Sequence, residues 1–188
     1  MTGDDALTHP PPRGRAGNLK HLTIHPQNPK IDEMFSFIET QLGQVKSHAL
    51  EEYPYECCGI ITGKPGSSEE DILHRCKNIQ NKLHAMDPKT FVRDARTAFY
   101  IDPMELMGIL KETEKKQQQI KAFYHSHPDH DAYFSEEDER MALFDREPLY
   151  PGACYLVVSV YDRKIKDLAL FAWNSQKKVF EKQKNINL

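Results

Sequence analysis

Tyr124-His125-Ser126-His127-Pro128, followed after a short loop by Ser135-Glu136-Glu137-Asp138, is the stretch from which both the fold and the chemistry of this chain are read. Ile120 to His127 is rich in β-branched and aromatic residues and reads as a strand, so the two-residue alternation of strand side chains puts Lys121, Phe123, His125 and His127 on one face. Both imidazoles then point at one spot. Ser135 reads as a helix N-cap with acidic residues in the first turn behind it, which sets Asp138 one turn into a helix running to about Asp145. Two histidines and an aspartate make three ligands of the kind zinc accepts. Three protein ligands leave a fourth tetrahedral position for water, the pattern of a catalytic site, whereas a structural site is closed by four ligands, commonly cysteines. An isolated His-x-His has a plainer reading as loop or surface chemistry, and it is Asp138 on its capped helix that turns the pair into a candidate centre.

Upstream, Glu51-Glu52-Tyr53-Pro54-Tyr55-Glu56-Cys57-Cys58-Gly59-Ile60-Ile61-Thr62-Gly63 sets a carboxylate where an apolar strand begins. A Glu at that point, facing a zinc water, is the general base such a site needs. Taken with His-Ser-His-Pro, the chain resembles the JAMM (MPN-plus) metalloprotease family, whose signature is a distant Glu, then His-x-His-Pro, then a Ser and an Asp. Tyr-Pro-x-Glu-Cys-Cys-Gly, the region of Asn78, Ile101-Asp102-Pro103 and the strand from Leu156 to Val160 extend the similarity to the bacterial branch, over about residues 20 to 175. The resemblance implies that Glu56 is the base, that His125, His127 and Asp138 hold Zn2+, and that Ser135 helps hold the oxyanion of a tetrahedral intermediate. It implies a peptidase or isopeptidase acting at the C-terminal tail of a ubiquitin-like or sulfur-carrier protein.

Length and composition fit one domain: 188 residues with 39% apolar content suffice for a single sizeable core. The formal net charge of -3, without a basic stripe interleaved with aromatics, speaks against a nucleic-acid partner. Cys57, Cys58, Cys76 and Cys154 include no Cys-x-x-Cys, and three of them sit in apolar runs, which suits buried thiols in a cytoplasmic protein. No segment approaches the ~20 apolar residues of a membrane span, and the N-terminus carries no apolar signal core.

In chain order, residues 1–18 are polar and broken by Pro10 to Pro12, Gly14 and Gly17, and read as a disordered tail ahead of one domain over residues 19–188. Leu19 to Ile24 reads as a short strand. Ile31, Met34, Phe35, Ile38, Leu42, Val45 and Ala49 fall at helical spacing, so a long amphipathic helix is expected from about Lys30 to Glu52, with His48 at the core edge. Cys57 to Thr62 and Asp71 to Cys76 read as paired strands about a Gly63-Pro65-Gly66 turn. Asn78 to Thr97 shows no period and reads as a long loop, functional or mobile, and a candidate platform for the carrier through Arg93 and Arg96. A strand over Ala98 to Ile101 and a helix started by Asp102-Pro103, with Leu106, Met107 and Leu110 facing inward, come next. After the Ser135 helix, Cys154 to Tyr161 and Ile165 to Trp173 form a hairpin, with an edge strand near Val179. The sum is an α/β architecture: a curved, mixed, largely antiparallel sheet flanked by a long and a shorter helix, to which the MPN (cytidine-deaminase-like) fold is similar.

Three other functions have to be weighed. A zinc deaminase needs His/Cys/Cys ligands with Pro-Cys-x-x-Cys, absent here. A non-catalytic MPN scaffold normally shows broken ligands, and none is broken. The same parts would also serve a zinc peptidase acting on peptidoglycan-type or other small peptide amides. His74, His84 and His130 are not expected to bind metal, since one more protein ligand would close a site that catalysis needs open.

Overall fold

The helical stripe and the apolar strands meet as their periodicities require. In the computed structural model, which describes residues 31–185, α1 (Ile31–Glu52) lays Ile38, Val45 and Ala49 against one face of a six-stranded sheet. The expected tail over residues 1–18 and the strand over residues 19–24 lie outside the described residues. The sheet is built from β1 (Cys58–Gly63), β2 (Ile72–Cys76), β3 (Gln119–Pro128), β6 (Cys154–Tyr161), β7 (Lys164–Asn174) and β8 (Val179–Asn185), in the order β2-β1-β3-β6-β7-β8. Every pairing is antiparallel except β3 with β6, which run parallel. The β6–β7 connection is a two-residue turn, with Asp162 and Arg163 both at positive φ as the twist of a tight hairpin demands.

Alternation sorts the central strands onto two cores. Cys57, Ile61, Ala122, Tyr124, Leu156, Val158 and Val160 face α1. Cys58, Ile60, Phe123, Tyr155 and Val157 face the opposite side, where they meet α3 (Pro103–Lys115) and α4 (Glu136–Ala142). His125 and His127 continue the Phe123 face as expected, but Lys121 does not. Ile61 opposes Ala122 while Thr62 opposes Ile120, so Lys121 is the extra residue of a β-bulge. Ile120 therefore joins the Phe123 core, and Lys121 binds the fully buried carboxylate of Asp71 at 2.5 Å and the carbonyl of Ser67. Asp71 in turn sits beneath α1, where its carbonyl accepts a hydrogen bond from Gln41.

Four expectations need correction. The stretch from Asn78 to Thr97 is not a bare loop: it contains α2 (Gln80–Met86), and Gln80 and Ala95 within it are buried. Ala98 to Ile101 forms no strand, only a single bridge between Asn78 and Ile101. On α3 the buried residues are Ile109 and Thr113, with Leu106 and Leu110 packed at their side, while Met107 is 46% exposed. The helix from Ser135 stops at Ala142 rather than about Asp145, because the chain becomes extended at Leu143. It then folds into a small hairpin of β4 (Leu143–Phe144) and β5 (Glu147–Pro148), turning through Asp145 and Arg146 at positive φ. All four cysteines are free and buried. Among the described residues no helix is long and apolar enough to cross a membrane.

Candidate metal centre

The C-terminal end of β3, the chain just before β1 and the first turn of α4 converge on the α3/α4 side of the sheet. Cys58 opposes His125 across the β1–β3 ladder, and the pairing continues one step further: Ser126 N donates to Cys57 O (3.1 Å) and Cys57 N donates to Ser126 Oγ (2.8 Å). Glu56 is thereby set across from His127, on the face that carries Cys58 and Ile60. On the far side of the histidines, Ser135 caps α4 with a complete capping box. Its Oγ accepts from Asp138 N (3.1 Å), and Asp138 Oδ2 accepts from Ser135 N (2.8 Å) and from Ser135 Oγ (2.7 Å). The cap orients the carboxylate, leaving Oδ1 3.4 Å from His125 Nε2 and Oδ2 3.9 Å from His127 Nε2.

Those donors form a preorganised cluster. His125 Nε2 and His127 Nε2 are 3.0 Å apart, and the two rings and Asp138 are all buried, Asp138 being 8% exposed. The Nδ1 of His127 lies 2.9 Å from the carbonyl of Asp131, which fixes that nitrogen as the N–H and leaves the Nε2 lone pair facing the cluster. With zinc–ligand bonds of about 2.0–2.1 Å, adjacent ligands of a tetrahedron sit about 3.3 Å apart, close to the observed separations. The donor set therefore fits a zinc ion. The charges agree. Burial works against a charged Asp138, yet its hydrogen bonds and the neighbouring His125 hold its carboxyl well below the usual range. Burial likewise opposes protonation of His125, but Asp138 and then Glu56 raise it, while burial and the neighbouring His125 bring His127 down to about 4. Asp138 thus supplies the cluster with an anionic carboxylate. Glu56, 5% exposed, is pushed up to about 8 by burial, with His125 pulling the other way.

The structure brings Glu56, His125, His127, Ser135 and Asp138 together, and among the described residues His48, His74 and His84 lie outside the cluster. His48 Nδ1 meets the hydroxyl of Tyr124 (2.9 Å) on the α1 face, His74 meets Thr62 (2.9 Å), and His84 meets the carbonyl of Phe91 (2.6 Å). Among the described residues, the group able to hold a metal consists of His125, His127 and Asp138. Several supporting residues escape a reading of the sequence. Phe99 stacks on His125 with ring centroids 4.6 Å apart, and half-exposed Tyr133 packs 4.9 Å from His127. Asn78 Nδ2 donates to the carbonyls of Glu56 (2.9 Å) and Ala98 (3.2 Å), and its Oδ1 accepts from Gln80 N and Tyr100 N. Glu56 N donates to Ala95 O (2.7 Å). The stretch after β2 is thus bonded to the backbone of Glu56 at both its amide and its carbonyl.

Residues 40–174 match the family described as prokaryotic homologs of the JAB domain. The chain belongs to this family. Among curated JAB-domain relatives, it is 30% identical over 119 residues to a desampylase of Haloferax volcanii, covering 61% of this chain and 73% of that protein. It is 27% identical over 116 residues to a CysO-cysteine peptidase of Mycobacterium tuberculosis, covering 62% of this chain and 66% of that protein, a little under two thirds of its length. The solution structure of protein DSY2949 from Desulfitobacterium hafniense superposes with a TM-score of 0.53 at 22% identity, covering 77% of this chain and 86% of that one. At that identity the likeness shows the fold, a mixed α/β JAB-type sheet. The family match begins at residue 40, inside α1, and ends at the last residue of β7, so it takes in every residue of the cluster.

Proposed function

We propose that this JAB-domain protein is a zinc-dependent peptidase or isopeptidase that hydrolyses the amide at the C-terminal tail of a ubiquitin-like or sulfur-carrier protein. The observation that carries this reading is the pairing of a buried His125/His127/Asp138 donor set with a buried carboxyl, Glu56, held across from His127 on the same face. The relatives named desampylase and CysO-cysteine peptidase support the substrate class.

In this reading His125, His127 and Asp138 would hold Zn2+, and the ion would supply Lewis acidity towards water and an amide carbonyl. Glu56 accepts a proton from the attacking water and delivers it to the departing amine, so that one water adds across the amide and leaves a carboxylate and an amine. Its raised affinity for a proton suits both halves of that task. Ser135 holds Asp138 in position through the capping box. Rotation of the same hydroxyl away from Asp138 Oδ2 provides a donor for the oxyanion, while Ser135 N keeps that oxygen bonded. Phe99 and Tyr133 pack against the rings of His125 and His127. Four free, buried thiols suit a reducing compartment, and we place the protein in the cytoplasm.

The test is incubation of the zinc-loaded protein with ubiquitin-like and sulfur-carrier fusions, read by mass spectrometry for a new C-terminus. Glu56→Gln retains zinc and loses roughly 10²–10⁴ in turnover, the usual cost of removing a general base. Undiminished cleavage by that variant refutes the assignment of Glu56. Cleavage of cell-wall-type peptides with no action on any carrier fusion refutes the substrate class.

A further inference from the structure

A cavity of about 510 Å3 opens where the C-terminal end of α1, the end of β2 and the start of α3 meet. Glu56 borders it, but His125, His127 and Asp138 do not, so it is distinct from the donor set. Asn78 lines it as well, with Nδ2 bonded to the carbonyl of Glu56 (2.9 Å).

Both signs of charge face this space. Arg75 Nη1 binds Glu51 Oε2 (2.7 Å), and Ser47 Oγ donates to the other oxygen of Glu51 (2.6 Å). A positive and a negative group therefore stand side by side in the lining. Glu52 and Lys77 line the cavity too, and among the described residues neither side chain has an ion-pair partner. α1 ends on Glu51 and Glu52 with no basic residue in its last turn, although the helix dipole favours a cation there.

A buried donor opens onto the same space. His48 is 5% exposed, and its Nδ1 lies 2.9 Å from the hydroxyl of Tyr124. That hydroxyl is buried and meets no other group among the described residues, so its hydrogen goes to Nδ1 and the imidazole carries its own hydrogen on Nε2. Nε2 has no partner among the described residues. It is nevertheless not shielded from water, since the shielded side-chain atom without a partner among those residues is Asp71 Oδ2. For a ring this buried, the water that Nε2 reaches is that of the cavity it lines.

The lining thus offers donors at Arg75, Lys77 and His48 Nε2 and acceptors at Glu51 and Glu52, next to one another. Cys57 and Cys76 add small uncharged surface, because burial pushes both thiols up to about 12. We propose that this cavity is a binding site for a free α-amino acid with a small uncharged side chain, its carboxylate on Arg75 and His48 and its ammonium on Glu51 and Glu52 at the end of α1. An α-amino acid carries its two charges on one carbon, so it can answer both halves of the Arg75–Glu51 pair at once. A ligand with one charge leaves the other half unanswered.

The purified full chain is titrated calorimetrically with L-alanine, with L-alaninamide, which keeps only the positive charge, and with N-acetyl-L-alanine, which keeps only the negative one. The expected affinity for L-alanine is about tenfold higher than for either analogue, the worth of one charge-assisted contact. Arg75→Ala lowers L-alanine to the level of L-alaninamide, and Glu51→Gln combined with Glu52→Gln lowers it to the level of N-acetyl-L-alanine. All three side chains are exposed, so the fold tolerates their loss, and Lys164→Ala, at the β6–β7 turn, leaves binding intact. Amide NMR shifts on adding L-alanine centre on residues 51, 52 and 75–78, with zinc bound or stripped. No saturable binding of L-alanine, equal binding of the three compounds, binding that disappears with zinc, or a preference that survives both sets of substitutions each overturns the proposal. Because no turnover is measured, none of these outcomes bears on the peptidase reading.

Discussion

Replacing Asn78 by Ala removes four hydrogen bonds at once, two donated to the carbonyls of Glu56 and Ala98 and two accepted from Gln80 N and Tyr100 N. At about 0.5–1.5 kcal/mol net for each, the sum is about 2–6 kcal/mol. Asn78 is only half-buried and the freed backbone groups recover some water, which places the expected loss near the low end, about 2–3 kcal/mol. That is a large share of the ~5–15 kcal/mol that holds a domain of this size folded. Urea unfolding should show a lower midpoint at unchanged slope, and hydrogen exchange should show faster exchange in residues 79–101 than in β6 or β7. The chemistry should suffer as well. The backbone of Glu56 loses one of its ties, so kcat falls while zinc content is unchanged, because His125, His127 and Asp138 are supported from β3 and α4. An Asn78→Ala protein with the same unfolding midpoint and the same exchange in residues 79–101 would refute the view that this side chain fastens the segment to Glu56.

The purified protein is expected to carry about one zinc per chain, and His127→Ala to lose it. Full occupancy in a His125→Ala, His127→Ala double variant, measured by elemental analysis, removes the metal assignment. Ser135→Ala is expected to cost about 1 kcal/mol of stability as a lost cap and to weaken zinc binding roughly 10–100-fold in chelator competition, since the cap holds Asp138; unchanged affinity leaves Ser135 a cap alone. Burial, helped by the charge of Arg75, brings the folded-state pKa of His48 from 6.5 to about 4. The unfolded chain therefore takes up this proton first as pH falls, and the contribution is complete above pH ~6.5 and declines towards pH ~4. His48→Gln should flatten the fall in melting temperature between pH 7 and pH 5, and an unchanged slope would show that other groups cause it.

The parts of the site legible in the sequence are those fixed by local rules. Period-two alternation places His125 and His127 on one face of β3, and a Ser followed three residues later by an Asp announces the capped start of α4. What escaped depends on partners distant in sequence. The seven residues of α2 are too few to display a period, and the stretch around them is ordered by Asn78, Gln80, Asn81 and Asp87 bonding to backbone groups. A composition of that kind looks the same in a loop. Met107 is apolar yet exposed on α3, because apolar character alone does not say which side of a helix meets a sheet; Thr113 is buried there by sending its hydroxyl to the carbonyl of Ile109. Phe99 offered no signal, since it is brought to His125 only by the fold of residues 78–101.

The bulge at Lys121 determines how β3 is measured. Thr62 pairs with Ile120 and Ile61 with Ala122, so hydrogen-bonded pairing passes over Lys121 as though it were not there. Removing that residue would leave an unbroken ladder with His125 and His127 still on their own side of the sheet, whereas removing any single residue between Ala122 and Tyr124 would exchange the sides of everything before it. The spare position is not idle: the carboxylate of Asp71, fully shielded from water, has one oxygen bound to the ammonium of Lys121 and the other without a hydrogen-bond partner among the described residues. A buried carboxylate stripped of its cation costs about 3–5 kcal/mol. The length of β3 is thus set twice, once by the phase that aims the histidines and once by a neutralising charge that the pairing itself does not require.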